Sequence, residues 1–330
     1  MKKLYPLKFV PTLIDKIWGS EALLISDNED SPSVAENGFL AENDIADILE
    51  TYLGDFVGDE IFEYYNLQFP LSVKLLHADG NVSAHVHPDD EIAMERYYSY
   101  GKTEFLYVLD ASPQARMYLG FNRAINATEL YEACLNGTLP SLMNVFQPKK
   151  GDCFCIEAGT VHSLGGGLTV LEVSQPSDIT FRLYDWGREG GSDPSREILL
   201  EEALDLIDYR RLDETSCRMP RGGCNLFSGK HFSVSEHSLD KPLTVAPERS
   251  GSVIVMACTQ GKANAVYGKE VISFTKGEAL LIPASLDEFE ICRDGNEGRV
   301  IRITVPKKSI DEDAYYDPLS EESDNGQREN

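Results

Sequence analysis

The sequence predicts a mainly β protein, made of two copies of one β module, sandwich or barrel in kind, with helical insertions. Three observations point there. Residues 148–186 and 225–305 break into short runs rich in β-branched and aromatic residues, punctuated by glycine and proline, as in all-β sandwiches and barrels. KKGDCFCIEAGTVHSL (149–164) resembles TKGEALLIPASLDEF (275–289): Lys150, Gly151, Asp152, Ile156 and Ala158 match Lys276, Gly277, Glu278, Ile282 and Ala284 at one constant offset. At that offset His162 falls on Glu288, so the chemistry is expected in the first copy and the second is read as structural. Helical period is confined to about 43–65, 127–136 and 195–209, with a short acidic-to-aromatic helix at 89–98.

In chain order, 5–20 is an extended entry ending in Trp18-Gly19, and 26–38 is polar and turn-rich. Asn43 is the expected N-cap of the first helical stretch. There Ile45, Ile48, Leu49, Leu53 and Phe56 recur at three and four, and Gly54 and Gly58 divide the stretch into two helices. FPLSVKLLHA (69–78) reads as a buried strand in which Lys74 either snorkels to the surface or lines a cavity. TEFLYVLD and ARMYLGF are strands around the Ser112-Pro113 turn; Asn126 caps the second helical stretch and Ser195 the third.

The net charge of −25 argues against nucleic acid or an anionic membrane surface as partner, while a local basic pocket can still hold an anionic small molecule. MKKLYPLKFVPTL shows no secretion signal, and no stretch approaches the roughly 20 apolar residues of a membrane span. A cytoplasmic location is expected. The 7 cysteines, odd in number and scattered, fit reduced thiols. Cys153 and Cys155 read as two small apolar residues on one strand face.

His85 and His87 lie two apart and run into Pro88. On a strand, residues i and i+2 share a face, so both imidazoles can aim at one point, and imidazole ligates zinc, copper, iron or nickel. Glu104 on the next strand and His162 in IEAGTVHSLG would complete four N/O donors. Taken alone, the two histidines fit a polar strand face equally well, Glu104 an edge position, and His162 a core histidine bonded to backbone. Arg182, between Phe181 and Leu183, faces either solvent or a cavity; Lys102 and Arg188 read alone as solvated surface charges. His77, His231 and His237 join no constellation and are taken as structural.

The words WG near the start, FPLxVK, SxxVHPDD, GKTE, GDxxxIxAGxxHSLGGG and SDITFRLYDWGRE occur in this order. With them the chain resembles the type I phosphomannose isomerases (mannose-6-phosphate isomerases) in their short bacterial form, strongly over about 5–210 and mainly in architecture beyond. The resemblance implies two cupin-type β-jelly-roll domains with helical insertions: a catalytic domain over 1–224, a second, metal-free domain over 225–308, and an acidic tail over 309–330, read as disordered. It implies one Zn2+ per chain, held by His85, His87, Glu104 and His162. It places Arg182 and Lys102 in catalysis, Ser83 and Arg188 at a phosphate, and Lys74 and Glu172 as further pocket residues. The implied partner is a small sugar phosphate, in a monomer or weak homo-oligomer. The implied reaction interconverts mannose 6-phosphate and fructose 6-phosphate by proton transfer through an enediol. That chemistry needs a polarised oxygen, a base near neutral pKa and a grip on the phosphate, and these residue types supply all three.

Four departures from the family pattern stand out. His85 replaces a glutamine, the segment between Trp18-Gly19 and Glu21 is short, Glu157 replaces a proline, and His77 stands where an acidic residue is usual. They leave two alternatives open: a non-catalytic paralogue that binds metal or sugar phosphate as a sensor, and an isomerase of another sugar phosphate.

Overall fold

The computed structural model describes residues 2–28, 30–189, 196–219, 224–247 and 251–307, so Ser195 and the 309–330 tail lie outside the described residues. The first module is two facing antiparallel sheets. One has six strands in the order Cys153–Ile156, Glu104–Ala111, Leu168–Ser174, Ser72–Ala78, Gly19–Ile25 and Thr12–Lys16. The other has five, in the order Phe181–Tyr184, Ala84–Val86, His162–Leu164, Met117–Phe121 and Met143–Phe146. Leu76, Leu106, Val108, Phe154 and Val170 of the first sheet pack on Met117, Leu119 and Leu164 of the second. The strand period of two sends their neighbours the other way. Val73, Phe105, Tyr107, Leu171 and Val173 join Val234, Val255, Ile301 and Ile303 of a nine-stranded sheet, which is built mainly from strands beyond residue 224. The fold is mainly β, as the sequence predicts, and the six-stranded sheet is its middle layer.

The internal repeat is a repeat of structure. At an offset of 126 residues (278 − 152), strand Cys153–Ile156 falls on strand Ala279–Ile282. Asp152 accepts from the Lys149 amide at 2.9 Å, and Glu278 accepts from the Thr275 amide at 2.7 Å. The glycines between, Gly151 and Gly277, sit at φ 83° and 88°, a backbone state that glycine adopts without penalty. The N-terminus joins the two modules. Strand Leu7–Val10 pairs antiparallel with Ala279–Ile282, with Leu7 opposite Leu281, and on its other side with Val34–Ala35.

The helical insertions differ from expectation in detail. Residues 43–65 form three short helices, Ile45–Tyr52, Gly54–Val57 and Asp59–Tyr65. The breaks fall at Leu53 (φ 50°) and Gly58 (φ 108°), not at Gly54. The N-cap is Asp44, whose carboxylate accepts from the Asp47 amide at 2.8 Å, while Asn43 donates instead to the Leu40 carbonyl at 3.0 Å. Asn126 caps Ala127–Leu135 as expected. The helix expected over 195–209 shrinks to Leu200–Ala203, because its flanks bond elsewhere. The Leu199 amide donates to the Arg182 carbonyl at 2.8 Å and the Asp208 amide to the Gly159 carbonyl at 2.9 Å. Its apolar residues Leu200, Leu206 and Ile207 still reach a core with Phe121 and Phe181, which explains the helix-like period. The seven cysteines are all unpaired, and no helix among the described residues is long and apolar enough to cross a membrane.

Phe105 is fully buried in the core that the six- and nine-stranded sheets share. Phe105→Ala should cost about 3–5 kcal/mol, read as a lower urea midpoint. Because that core is continuous, near-ultraviolet and far-ultraviolet circular dichroism should report one common transition.

Candidate active site

Strand Ala84–Val86 lies between Phe181–Tyr184 and His162–Leu164, so Arg182, His85 and His162 stand opposite one another across three strands. His87 follows at the strand's end. The ligand atoms of the three histidines lie within 4.8 Å of one another. Each Nδ1 meets a backbone carbonyl: His85 that of Ser83 at 2.7 Å, His87 that of Ile179 at 2.7 Å, His162 that of Thr160 at 2.9 Å. A carbonyl can only accept, so these contacts place the ring proton on Nδ1 and leave each Nε2 with a free lone pair. Glu104 enters from the facing sheet, its Oε1 3.2 Å from His87 Nε2 and its Oε2 3.1 Å from His162 Nε2. Despite that approach, His87 Nε2 is buried without a hydrogen-bond partner.

Lone pairs and a carboxylate converging on one buried point form the donor set of a divalent cation. The carbonyls behind the rings supply the orientation such a site needs. Burial pushes the His87 pKa down to about 4 against the pull of Glu104, and it pushes His85 well below the usual imidazole range. Both rings are therefore neutral near pH 7, the form that ligates. For Glu104, burial opposes the charge, but the Lys102 ammonium beside it holds its carboxyl well below the usual carboxylate range. The structure thus brings together all four residues singled out as metal ligands.

A cavity of about 580 Å³ opens over this cup. The same period of two that buries Phe105 and Val73 on one face of the six-stranded sheet turns Glu104, Glu172, Lys74 and Glu21 toward the cavity. Lys74 and Glu172 are directly opposed in register. Lys102 Nζ lies 3.4 Å from Glu104 and 3.6 Å from Glu172, and Lys74 Nζ lies 3.4 Å from Glu21. At 8% and 6% exposure, Lys74 and Lys102 are cavity residues and not surface charges. Burial and Glu104 raise the Glu172 pKa, whereas at Glu21 the charges of Lys74 and Lys16 outweigh burial and lower it. Burial would lower the Lys102 pKa, but Glu172 and Glu104 raise it above its ordinary range.

Arg182 turns into the cavity. Its Nε donates to Ser83 Oγ at 2.9 Å, and Ser83 Oγ donates to Asp185 Oδ1 at 2.8 Å. Buried Asp185 also accepts from Arg188 at 2.9 Å and from Arg196. Arg188 also donates from Nη2 to the Asn81 carbonyl at 2.6 Å and from Nε to the Asp185 carbonyl at 3.0 Å, and it does not line the cavity. Arg196 does line it. The sequence therefore pointed to Ser83 and Arg182 and missed Arg196, which sits in SREI without a motif around it. Glu21 was also missed as a site residue. The hairpin of Thr12–Lys16 and Gly19–Ile25 carries Trp18 and Glu21 onto the cavity wall. Gly19 permits this: a Cβ there would meet the His77 carbonyl at 1.9 Å. His77 lies outside the cavity, with its Nδ1 2.8 Å from Thr169 Oγ1. A wider cleft of about 890 Å³ runs along helix Asp90–Tyr97, lined by Tyr64, Tyr100 and His231, and none of the four cup residues lines it.

Residues 224–305 match the family model described as "Mannose-6-phosphate isomerase, cupin domain". The Bacillus subtilis protein named "Probable mannose-6-phosphate isomerase GmuF" is 30% identical over 229 residues, which cover 64% of this chain and 70% of that one. The chain belongs to the type I mannose-6-phosphate (phosphomannose) isomerase family, of cupin fold. Another relative in this family, mannose-6-phosphate isomerase ManA of B. subtilis, is 28% identical over 311 residues, 87% of this chain and 95% of that one. The crystal structure of the mannose 6-phosphate isomerase from B. subtilis superposes with a TM-score of 0.78 at 25% identity, covering 90% of this chain and 99% of that chain. A phosphomannose isomerase variant from Salmonella typhimurium shares the fold at a TM-score of 0.72 and 15% identity, over 92% of this chain and 100% of that chain.

The cup makes a direct prediction. His87→Ala removes a fully enclosed donor, and elemental analysis of the purified variant should show its metal lost. His85→Gln places an amide oxygen at the most accessible corner of the cup, and the same analysis should find the metal retained.

Proposed function

We propose that this chain is a cytoplasmic, zinc-dependent aldose–ketose isomerase interconverting mannose 6-phosphate and fructose 6-phosphate. One observation carries the reading: the cup of His85, His87, His162 and Glu104 opens into a cavity that also holds Lys102, Glu172, Arg182 and Ser83. When bound, a zinc ion in that cup supplies Lewis-acid polarisation of a carbonyl oxygen. Every cavity-lining residue precedes residue 224, which supports assigning catalysis to a first domain over 1–224 and a structural role to the second.

The chain's own residues divide the remaining work. Isomerisation removes a proton from C2 of the aldose and returns one to C1, with a negatively charged enediolate between. Glu172 is the carboxylate suited to carry that proton: its pKa is raised while those of Glu21 and Glu104 are lowered, and groups pushed apart in this way take different roles. Lys102, protonated between Glu104 and Glu172, offsets the developing negative charge, and Arg182 does so from the opposite sheet. Ser83 and Arg196 sit beside Arg182 at the cavity wall and suit the phosphate, since a guanidinium fork matches phosphate oxygens. Arg188 acts one step back, fixing Asp185.

A coupled assay with mannose 6-phosphate, run beside elemental analysis of the same sample, tests this. About one zinc per chain with turnover is expected, and chelation should abolish turnover until zinc is restored. Arg182→Ala should lower kcat/KM by roughly 10²–10³-fold, while Arg196→Ala should act mainly on KM. A metal-loaded protein without turnover would leave the binding paralogue. A wide preference for another phosphorylated sugar in a substrate panel would replace mannose 6-phosphate.

A further inference from the structure

The second module holds a cavity of about 540 Å³ that the proposed reaction does not use. It lies on one face of two neighbouring strands, Ser233–Ser238 and Phe289–Thr304. There Ser235 stands directly opposite Arg302, and Ser233 opposite Thr304. His237 extends the row, and Lys307 forms part of the rim, where it pairs with Glu60 at 2.8 Å. Among the described residues, no aspartate or glutamate lines this cavity, in a chain whose net charge is −25.

Arg302 is the anomaly. Its Nε is buried without a hydrogen-bond partner, and the guanidinium forms no ion pair among the described residues. Other part-buried arginines are neutralised: Arg196 by Asp185, Arg218 by Asp152, and Arg299 by Glu236. A part-buried charge left unpaired is destabilising. Burial lowers the Arg302 pKa. The other groups around it are donors or can become donors. Ser235 Oγ lies 2.9 Å from His237 Nε2, and His237 Nδ1 lies 3.9 Å from Cys224 Sγ.

We propose that this cavity binds a small tetrahedral oxyanion, inorganic phosphate or the phosphate group of a monoester, between the Arg302 guanidinium and the hydroxyls of Ser233, Ser235 and Thr304. The planar fork of an arginine binds two phosphate oxygens at once. Hydroxyls from two adjacent strands can serve the others, which a carboxylate ligand would not need. The site shares no lining residue with the metal cup, so it is independent of the isomerase reading.

Titration of the full chain tests it, with inorganic phosphate followed by calorimetry and thermal melting at matched ionic strength in chloride. Arg182→Ala serves as the background, to weaken phosphate binding in the active-site cavity. Phosphate should raise the melting temperature of that protein, as any ligand of the folded state does. Adding Arg302→Met should abolish the rise and weaken phosphate binding about tenfold or more. It should leave the phosphate-free melting temperature equal or higher, because an unpaired charge has gone. Ser235→Ala should weaken binding with the charge intact, which keeps the test open if Arg302→Met folds poorly. Glycerol 3-phosphate against inorganic phosphate separates the two sources, the tighter binder naming the ligand. A response unchanged by both substitutions, no response at all, or citrate stabilising as well as phosphate would overturn the proposal.

Discussion

An ionised carboxylate almost out of reach of water is the constraint around which this structure is arranged. Glu104 is 3% exposed, and such a charge persists only where opposite charge and hydrogen bonds surround it. The six-stranded sheet meets this by alternating sign across its cavity face. Lys102 lies between Glu104 and Glu172, Lys74 pairs with Glu21, and Lys16 with Glu21 again. The members depend on one another, since removing Lys102 would leave two buried glutamates without their nearest cation. The same linkage separates the two inner glutamates: Glu104 is held ionised, whereas Glu172, buried beside the Glu104 charge, binds a proton more readily.

The imidazoles depend on backbone more than on side chains. Ser83 and Thr160 each lie two residues before the histidine whose Nδ1 their carbonyl receives, so His85 and His162 are oriented by the same local device on two strands. His87 is held instead by the carbonyl of Ile179, in the segment leading to Arg182. The arginine and the metal cup are thereby fixed to each other through a stretch of main chain.

This explains what could be read in advance. The His85–His87 spacing, the alternation around Lys74 and Glu104, and the turn-and-strand repeat are local patterns, and the sequence displays them directly. The pairing of His162 with His85 and the engagement of Arg188 by Asp185 and the Asn81 carbonyl depend on strand register and on which carbonyls stand free. Neither leaves a trace in residue type. Arg196 lacked even a neighbouring motif. The third helix failed for a related reason: Leu200, Leu206 and Ile207 have helical spacing because they meet one core, yet the amide of Leu199 bonds a strand carbonyl at Arg182 and that of Asp208 a turn carbonyl at Gly159. Asp44 was missed as the cap by one residue because the neighbouring Asn43 also carries a side-chain oxygen suited to capping, yet it is the Nδ2 of Asn43 that bonds, donating to the Leu40 carbonyl.

The first strand has a consequence for how the chain reaches this state. Leu7 is registered against Leu281, a separation of 274 residues (281 − 7) that must be closed before the strand's amides are satisfied on that side. Contacts so distant along the chain slow folding, because loop entropy is lost before the contact forms. During synthesis, residues 7–10 leave the ribosome long before their partner exists, so the sheet that they join is completed only after the second module has been made. Folding must seat that N-terminal strand between Ala279–Ile282 and Val34–Ala35. Until that happens the second module exposes an open sheet edge, the feature through which β proteins associate wrongly.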